Sequence, residues 1–324
     1  MKLNDLYQKG AAVLTEKKLD FMLKGVETEF VLEHNAAMLA QYTFLQRAIN
    51  TIQEVSTRST VLNVELETPV IMSSMNAPIP QIADNGLVIT ARALKKTGSM
   101  MWTGSPIPTN LEEIVKTGVP VCQTVKPLRD RKALKEKLIE IEKTGVIWIG
   151  IEVDAGQCTK VLDTMMTKDC FPVSVSELKE LKAAVSIPFV LKGILSAWDA
   201  EKALEAEADL IVISNHGAHT LDYLPHPFEV IEEINAVING RIPIIVDSGF
   251  RRGSDVLKGL AMGAAAVGIA RPVLWALAAD GEEGVASLIT ELTEELKRYM
   301  AMTGIEQPKE AHPSILLRSP HPFS

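Results

Sequence analysis

One histidine follows an apolar run at a position suited to proton transfer. Residues 214–219 (Ser-Asn-His-Gly-Ala-His) come directly after the apolar run Leu210–Ile213, so His216 is expected at the C-terminal end of a buried strand. An imidazole there can take up and return a proton near neutral pH. A lone loop histidine is as easily explained by hydrogen bonds to its neighbours, so the surrounding polar residues decide between the two interpretations.

Other polar side chains also stand where apolar runs end. Lys192 and Gln123 each close such a run, and Glu152 and Asp154 flank Val153 at the end of another. Ammonium, amide and carboxylate groups are costly to bury without partners, and a polar ligand would supply those partners. Each of these residues alone is explained by a rim position in contact with water. Their convergence predicts a polar binding site.

Two glycine- and arginine-containing segments predict a phosphate site. Residues 247–253 (Asp-Ser-Gly-Phe-Arg-Arg-Gly) follow the seventh apolar run, and residues 268–272 (Gly-Ile-Ala-Arg-Pro) follow the eighth. Small residues let backbone N–H groups approach phosphate oxygens, and arginines add charge-assisted hydrogen bonds. The alternative is that the glycines only make tight turns and the arginines are solvated. The coincidence of two such loops favours the phosphate site.

The elements that must position these residues form a repeated pattern of strands and helices. Charged segments with helical spacing separate most of the short apolar runs, and helices are predicted over 129–143, 196–207 and 284–302. Continuous apolar runs are typical of parallel strands that are covered on both faces. The eight runs are 70–75, 99–102, 119–123, 146–153, 189–192, 210–214, 242–247 and 265–269.

Eight is the number of strands that closes a (β/α)8 barrel. The sequence therefore predicts an α/β protein, a (β/α)8 TIM barrel with an N-terminal helical extension. We place the extension at residues 1–65 and the barrel, which would bind the ligand, at 66–304. An irregular tail is predicted for 305–324, where four prolines occur.

Composition narrows the classes of partner. The chain has 324 residues with 33 Lys and Arg against 41 Asp and Glu, and no basic tract that would follow a nucleic acid backbone. It has neither a signal-peptide pattern nor a run of about 20 apolar residues, so we expect no membrane partner and a cytoplasmic location. Cys122, Cys158 and Cys170 are odd in number and unpatterned. They predict neither disulfides nor a metal site.

Three motifs together resemble the FMN-dependent 2-hydroxy acid oxidases and dehydrogenases, which include glycolate oxidase, lactate oxidase and flavocytochrome b2. The motifs are 191–193 (Leu-Lys-Gly), 214–218 followed by 221–223 (Leu-Asp-Tyr), and 247–256. The resemblance runs from about residue 25, in the helical segment before the barrel, to about residue 304. It implies a (β/α)8 barrel with FMN at its C-terminal mouth.

The resemblance also implies roles for individual residues. His216 matches the family's base and Asp154 the aspartate that orients it, so that the histidine removes a proton while a hydride equivalent reaches the flavin. Lys192 would stabilise negative charge on the reduced flavin ring. The other implied contacts to the cofactor are Ser74, Met75, Ser105, Gln123, Glu152, Ser214, Asp247, Gly249, Arg251, Ala270 and Arg271.

The departures from the family pattern lie mainly at the end that holds the substrate. His219 stands where the family has an arginine that binds the substrate carboxylate, and Val125 stands where it has a tyrosine. Glu152 replaces a threonine, the run 155–172 is shorter than the family's fourth loop, and Ala270 replaces a phosphate-loop glycine. An imidazole lacks the permanently charged fork that a carboxylate prefers. We therefore expect a substrate other than simple lactate or glycolate, with His219 and Val125 beside it.

The predicted function is that of an FMN-dependent oxidoreductase acting on a small molecule. Its electron acceptor is left open among oxygen, a quinone and a protein. The resemblance implies a homo-oligomer, a tetramer or larger, in which the tail either packs on a neighbouring subunit or is disordered. Two alternatives stay open: a redox-neutral FMN isomerase resembling the type 2 isopentenyl diphosphate isomerases, and a flavin-binding protein without turnover.

Overall fold

Eight short parallel strands form a barrel in a computed structural model that describes residues 2–156 and 168–319. Strands that are consecutive in the sequence pair in parallel from the second to the eighth, and the eighth pairs with the first. Between the first and second strands, the Met72 N–H donates to the carbonyl of Met100 at 3.1 Å. In chain order the barrel strands are β1 Val70–Met72, β2 Met101–Thr103, β3 Val121–Val125, β4 Trp148–Glu152, β5 Phe189–Ile194, β6 Leu210–Ile213, β7 Ile244–Val246 and β8 Ala266–Ile269.

Helices connect the strands and cover the outside of the barrel, which confirms the predicted (β/α)8 architecture. The predicted helix over 284–302 is the second part of Arg271–Thr303, whose path breaks at Asp280 and Gly281. The helices are Leu3–Glu16, Phe30–Ala40, Ile79–Ile82, Gly86–Lys96, Leu111–Lys116, Arg131–Lys143, Val175–Lys182, Ala197–Glu205, Pro227–Ile238, Gly253–Ala261 and Arg271–Thr303. Short 3-10 turns occupy Asp20–Leu23, Val153–Ala155, Pro308–Glu310 and Pro313–Ile315.

Apolar side chains fill both sides of the barrel wall. The rings of Trp102 and Trp148 meet edge to face inside the barrel, with centroids 6.4 Å apart. Alternate residues of the same strands, such as Met101 and Ile149, pack outward against the helices. This double coverage explains why the strands read as continuous apolar runs. A hairpin of Ser59–Val61 and Val64–Leu66 contributes two more side chains to the inner cluster.

The extension and the tail contain more regular structure than the sequence predicts. Two helices occur before residue 65, as expected, but strand Tyr42–Phe44 pairs antiparallel with Leu316–Arg318. The described part of the tail therefore contains the strand Leu316–Arg318 and two short 3-10 turns in a segment for which the sequence predicts irregular structure. Backbone pairing between segments this far apart in the chain leaves no local sequence pattern.

Some predicted features lie outside the described residues. These are Cys158, most of the short run 155–172 and the last five residues of the tail. Among the helices of the described segments, none combines the length and apolar character that a membrane span requires.

Candidate active site

A cavity of about 280 Å³ opens at the C-terminal ends of the barrel strands. This is the end of the barrel where side chains from separate strands converge, and it is the expected location of chemistry in this architecture. The predicted site residues that line the cavity are Ser74, Met75, Ser105, Glu152, Lys192, His216, His219, Asp247, Gly249, Arg251, Ala270 and Arg271.

The predicted base and its orienting carboxylate are in direct contact. Nδ1 of His216 lies 2.7 Å from Oδ2 of Asp154, and the two side chains are only 10% and 14% exposed. His216 follows β6 with a φ of +56°, and its backbone N–H donates to Oγ of Ser214 at 3.0 Å. Asp154 lies in the turn Val153–Ala155 directly after β4. The two residues meet because the strands that carry them are separated only by β5.

Glu152 is a second carboxylate beside the base. Its Oε1 accepts hydrogen bonds from the hydroxyls of Ser74 and Thr124, and its Oε2 lies 3.9 Å from Nε2 of His216. Burial alone would raise the pKa of Glu152. The positive charges of Lys192, His216 and Lys126, with the hydrogen bond from Ser74, outweigh burial and lower the pKa to about 2. The side chain is therefore an anion at neutral pH.

The family model for FMN-dependent dehydrogenase matches residues 11–161 and 156–318. The chain belongs to this family. A 2-hydroxyacid oxidase of Dictyostelium discoideum is 28% identical, over 98% of this chain and 90% of its own. Glycolate oxidase 1 of Oryza sativa subsp. indica is 30% identical, over 88% of this chain and 87% of its own. Among solved structures, mandelate oxidase in an arginine-to-leucine variant matches with a TM-score of 0.90 and 31% identity, and 98% of each chain is covered.

Membership in the FMN-dependent dehydrogenase family confirms the predicted class. The protein is an FMN-dependent oxidoreductase, and FMN is its cofactor. FMN has a flavin ring at one end and a phosphate at the other, so the cavity must suit both groups.

An unpaired buried ammonium group suits the flavin end. Lys192 is buried, and its Nζ has no hydrogen-bond partner among the described residues. Burial alone would lower the pKa of Lys192, but the carboxylates of Asp154, Glu152 and Asp247 raise it, so the group is charged. Oγ of Ser73, also in the cavity wall, is likewise buried without a hydrogen bond. Buried polar atoms in this state require partners, which an electron-rich ring edge would provide.

Two arginines suit the phosphate end. Arg251 and Arg271 both line the cavity, and burial together with the charge of Arg251 lowers the pKa of Arg271 to about 10. Nη2 of Arg271 donates to the carbonyls of Gly217 and Lys24, at 2.8 and 3.0 Å, whereas its buried Nε has no hydrogen-bond partner among the described residues. An anion near both guanidinium groups would relieve their repulsion and accept the remaining N–H. The cavity therefore fits FMN at both ends.

Besides Asp154, three predicted site residues do not line the cavity. Nε2 of Gln123 donates to the carbonyl of Gly104 at 3.0 Å, and its Oε1 accepts from the Thr103 hydroxyl at 2.7 Å, so this buried amide is occupied within the protein. Val125 is buried in the wall at the end of β3. Ser214 is buried and acts through the backbone of His216. His219 does line the cavity, with Nε2 2.9 Å from the carbonyl of Lys24.

Lys126 and Asn35 are two of the polar cavity residues that were not predicted from the sequence. Lys126 is buried, lines the cavity and follows the last residue of β3. The rule that polar residues end apolar runs would have found it if the third run had been extended beyond Gln123. Asn35 exchanges amide hydrogen bonds with Asn215, at 2.7 and 3.2 Å. It comes from the helix Phe30–Ala40, which carries no such signal.

Proposed function

We propose that the protein oxidises a 2-hydroxy compound, with His216 as the base and Asp154 as the carboxylate that orients it. The observation that carries this proposal is the 2.7 Å contact between Nδ1 of His216 and Oδ2 of Asp154, at the edge of a cavity that also contains the charged Lys192. An aspartate against one ring nitrogen fixes the tautomer and leaves the other nitrogen to take a proton.

Asp154, His216 and Lys192 have separate proposed roles in the oxidation. Asp154 accepts the Nδ1–H of His216, so Nε2 presents its lone pair to the substrate hydroxyl. Proton transfer to Nε2 produces an imidazolium, which the negative charge of Asp154 stabilises. Bound FMN supplies the acceptor for two electrons and a hydrogen. Lys192 places a positive charge where negative charge develops on reduction, which lowers the free energy of that state.

The binding residues divide between the two ends of the cavity. Ser74, Met75 and Ser105 line the end near Glu152 and are proposed to flank the flavin ring, with Gln123 behind them. The residues proposed to hold the ribityl chain and phosphate are Asp247, Gly249, Arg251, Ala270 and Arg271.

The substrate is proposed to differ from simple lactate or glycolate. His219 offers no bidentate charged fork, and its ring nitrogen is already 2.9 Å from a carbonyl oxygen. The Glu152 anion would repel a carboxylate about 5 Å away by about 3 kcal/mol at an effective dielectric constant of about 20. The similar arginine-to-leucine variant of mandelate oxidase was solved with 2-hydroxy-phenylacetamide, which is an uncharged 2-hydroxy compound.

Anaerobic reduction of the FMN-loaded enzyme tests the proposal. A panel of 2-hydroxy acids, amides and alcohols is mixed with the oxidised protein, and the loss of visible flavin absorbance is followed. We expect His216→Asn to slow reduction by any active compound about 1,000-fold, while the exposed control His312→Asn leaves it unchanged. Unchanged reduction in His216→Asn would contradict the assignment. Rapid reduction by micromolar lactate would contradict the altered specificity.

Two other outcomes would favour the alternative functions. Anaerobic conversion of a substrate without net flavin reduction would indicate a redox-neutral isomerase. Absence of reduction by every compound would favour a flavin-binding protein without turnover. A homo-oligomeric state, a tetramer or larger, stays a prediction from the family resemblance, which sedimentation can test. A cytoplasmic location stays a prediction from the sequence pattern, which cell fractionation can test.

A further inference from the structure

A carboxylate lies within contact distance of any substrate that the base can reach. Asp154 contacts Nδ1 of His216, so the proposed proton transfer uses Nε2. Oε2 of Glu152 is 3.9 Å from that nitrogen, and Glu152 lines the cavity. An atom bonded to the reacting carbon therefore lies next to this carboxylate.

Glu152 is held so that one oxygen stays available to a ligand. Oε1 accepts from the hydroxyls of Ser74 and Thr124, and Thr124 in turn accepts from Nε1 of Trp102 at 3.1 Å. No described residue donates a hydrogen bond to Oε2. Because the group is ionised, Oε2 can only accept hydrogen bonds. It is a fixed acceptor that faces the cavity.

Two carboxylates and two ammonium groups already lie near the base without a substrate. Glu152 and Asp154 both lie beside His216, and the ammonium groups of Lys192 and Lys126 both lower the pKa of Glu152. Asp247 is a third carboxylate near Lys192 and raises its pKa. A substrate carboxylate would add a further negative charge beside Glu152 and Asp154 in a buried site. An uncharged substrate adds no charge there, and its hydrogen-bond donor matches Oε2.

We propose that Glu152 determines specificity for uncharged 2-hydroxy carboxamides by accepting a hydrogen bond from the substrate amide N–H at Oε2. This inference rests on the proposed role of His216 as the base. Oxidation would convert the 2-hydroxy amide to the 2-oxo amide. The hydroxyl proton passes to Nε2 of His216, and the hydrogen on the carbinol carbon leaves with two electrons to the oxidised cofactor, so that atoms and electrons balance.

Ligand binding to FMN-loaded His216→Asn protein tests specificity apart from turnover. Binding of 2-hydroxy-phenylacetamide and of mandelate, which differ only in amide against carboxylate, is measured by calorimetry. We expect the amide to bind at least about tenfold more tightly, the effect of one hydrogen bond to a charged group. Equal binding, or tighter binding of mandelate, would overturn the proposal whatever the His216→Asn variant shows in turnover.

Substitution of Glu152 tests whether this residue causes the preference for the amide over the carboxylate. In the same background, Glu152→Gln removes the charge and Glu152→Thr installs the residue of the family pattern. We expect both to reduce the amide preference by about tenfold, chiefly because mandelate binds more tightly once the like charge is gone. The matched control Glu136→Gln lies on the exposed face of Arg131–Lys143 and should leave the preference unchanged. A preference that persists in both Glu152 variants would assign it to another residue.

Discussion

A Cβ atom on residue 193 would lie 2.3 Å from Cγ of Asp154, so Gly193 leaves the space that Asp154 occupies. Gly193 has a φ of +94° and lies where the register between β5 and β6 shifts, between Lys192 and Ile194. Two features of this position require glycine: the left-handed backbone conformation and the lack of space for a side chain. Its lack of a side chain leaves room for the carboxylate that contacts His216.

Gly193→Ala is expected to displace Asp154 and to slow flavin reduction to about the rate of Asp154→Asn. The matched control is Gly240→Ala, because Gly240 also has a positive φ but no atom within 4 Å of the added Cβ. Both variants should lose about 1 kcal/mol of stability from the backbone conformation, and only Gly193→Ala should lose activity. Anaerobic reduction kinetics with a compound active on the wild type, together with urea unfolding, distinguish the two effects. Full activity in Gly193→Ala would show that Asp154 can still contact His216 when residue 193 carries a side chain.

Lys192→Met is expected to lower the midpoint potential of bound FMN. The unpaired ammonium of Lys192 favours the negative charge of the reduced state, and its removal costs that state free energy. A loss of about 3 kcal/mol corresponds to a fall of about 60 mV for a two-electron couple. A redox titration against dyes measures the potential, with the exposed Lys135→Met as the control. An unchanged potential would place Lys192 away from the flavin.

Arg251→Gln is expected to weaken FMN binding about 100-fold while leaving riboflavin binding nearly unchanged. Riboflavin lacks the phosphate, so it loses nothing when a phosphate contact is removed. Arg251 and Arg271 both line the cavity, and the charge of Arg251 helps to lower the pKa of Arg271, so we expect one anion to contact both. Fluorescence quenching on titration of the apoprotein with each compound gives both affinities. Equal losses for FMN and riboflavin would indicate a general structural defect.

The strand ends were the part of the site that the sequence could predict. Lys192, Glu152 and Asp247 each follow an apolar run, and parallel strands bring such positions to one end of a barrel. The contact between Gly193 and Asp154 depends on a local register shift that no apolar pattern encodes. Asn35 enters from a helix distant in the chain, and its role depends on tertiary packing.

The side chain of Gln123 shows a further limit of prediction from the sequence. The sequence placed it at a strand end, but it is the middle residue of β3, and its amide hydrogen-bonds to Gly104 and Thr103 instead of facing the cavity. The strand position of a residue determines where its Cα atom lies at the end of the barrel. The choice among nearby partners is decided by distances of a few tenths of an ångström, which only the folded chain sets.

His226 is expected to make the protein less stable as the pH falls below neutral. Its Nδ1 accepts the Phe228 N–H and its Nε2 lies 3.1 Å from the carbonyl of Ser248, an arrangement that requires the neutral ring. Burial is the main cause that lowers its pKa from 6.5 to about 3. Below pH 6.5 His226 binds a proton in the unfolded chain but not in the folded chain, so the free energy of unfolding decreases. From about pH 7 to about pH 5 this residue should account for a loss of about 2 kcal/mol.

The variant His226→Asn tests whether His226 causes this loss of stability at low pH. An asparagine can still cap the helix Pro227–Ile238, but it does not titrate. Urea unfolding of both FMN-saturated proteins over the same pH range should therefore show the wild type losing about 2 kcal/mol more than the variant. Parallel pH profiles would mean that the folded protein protonates His226 at the same pH as the unfolded chain, and the buried neutral ring would then not be the source of acid sensitivity.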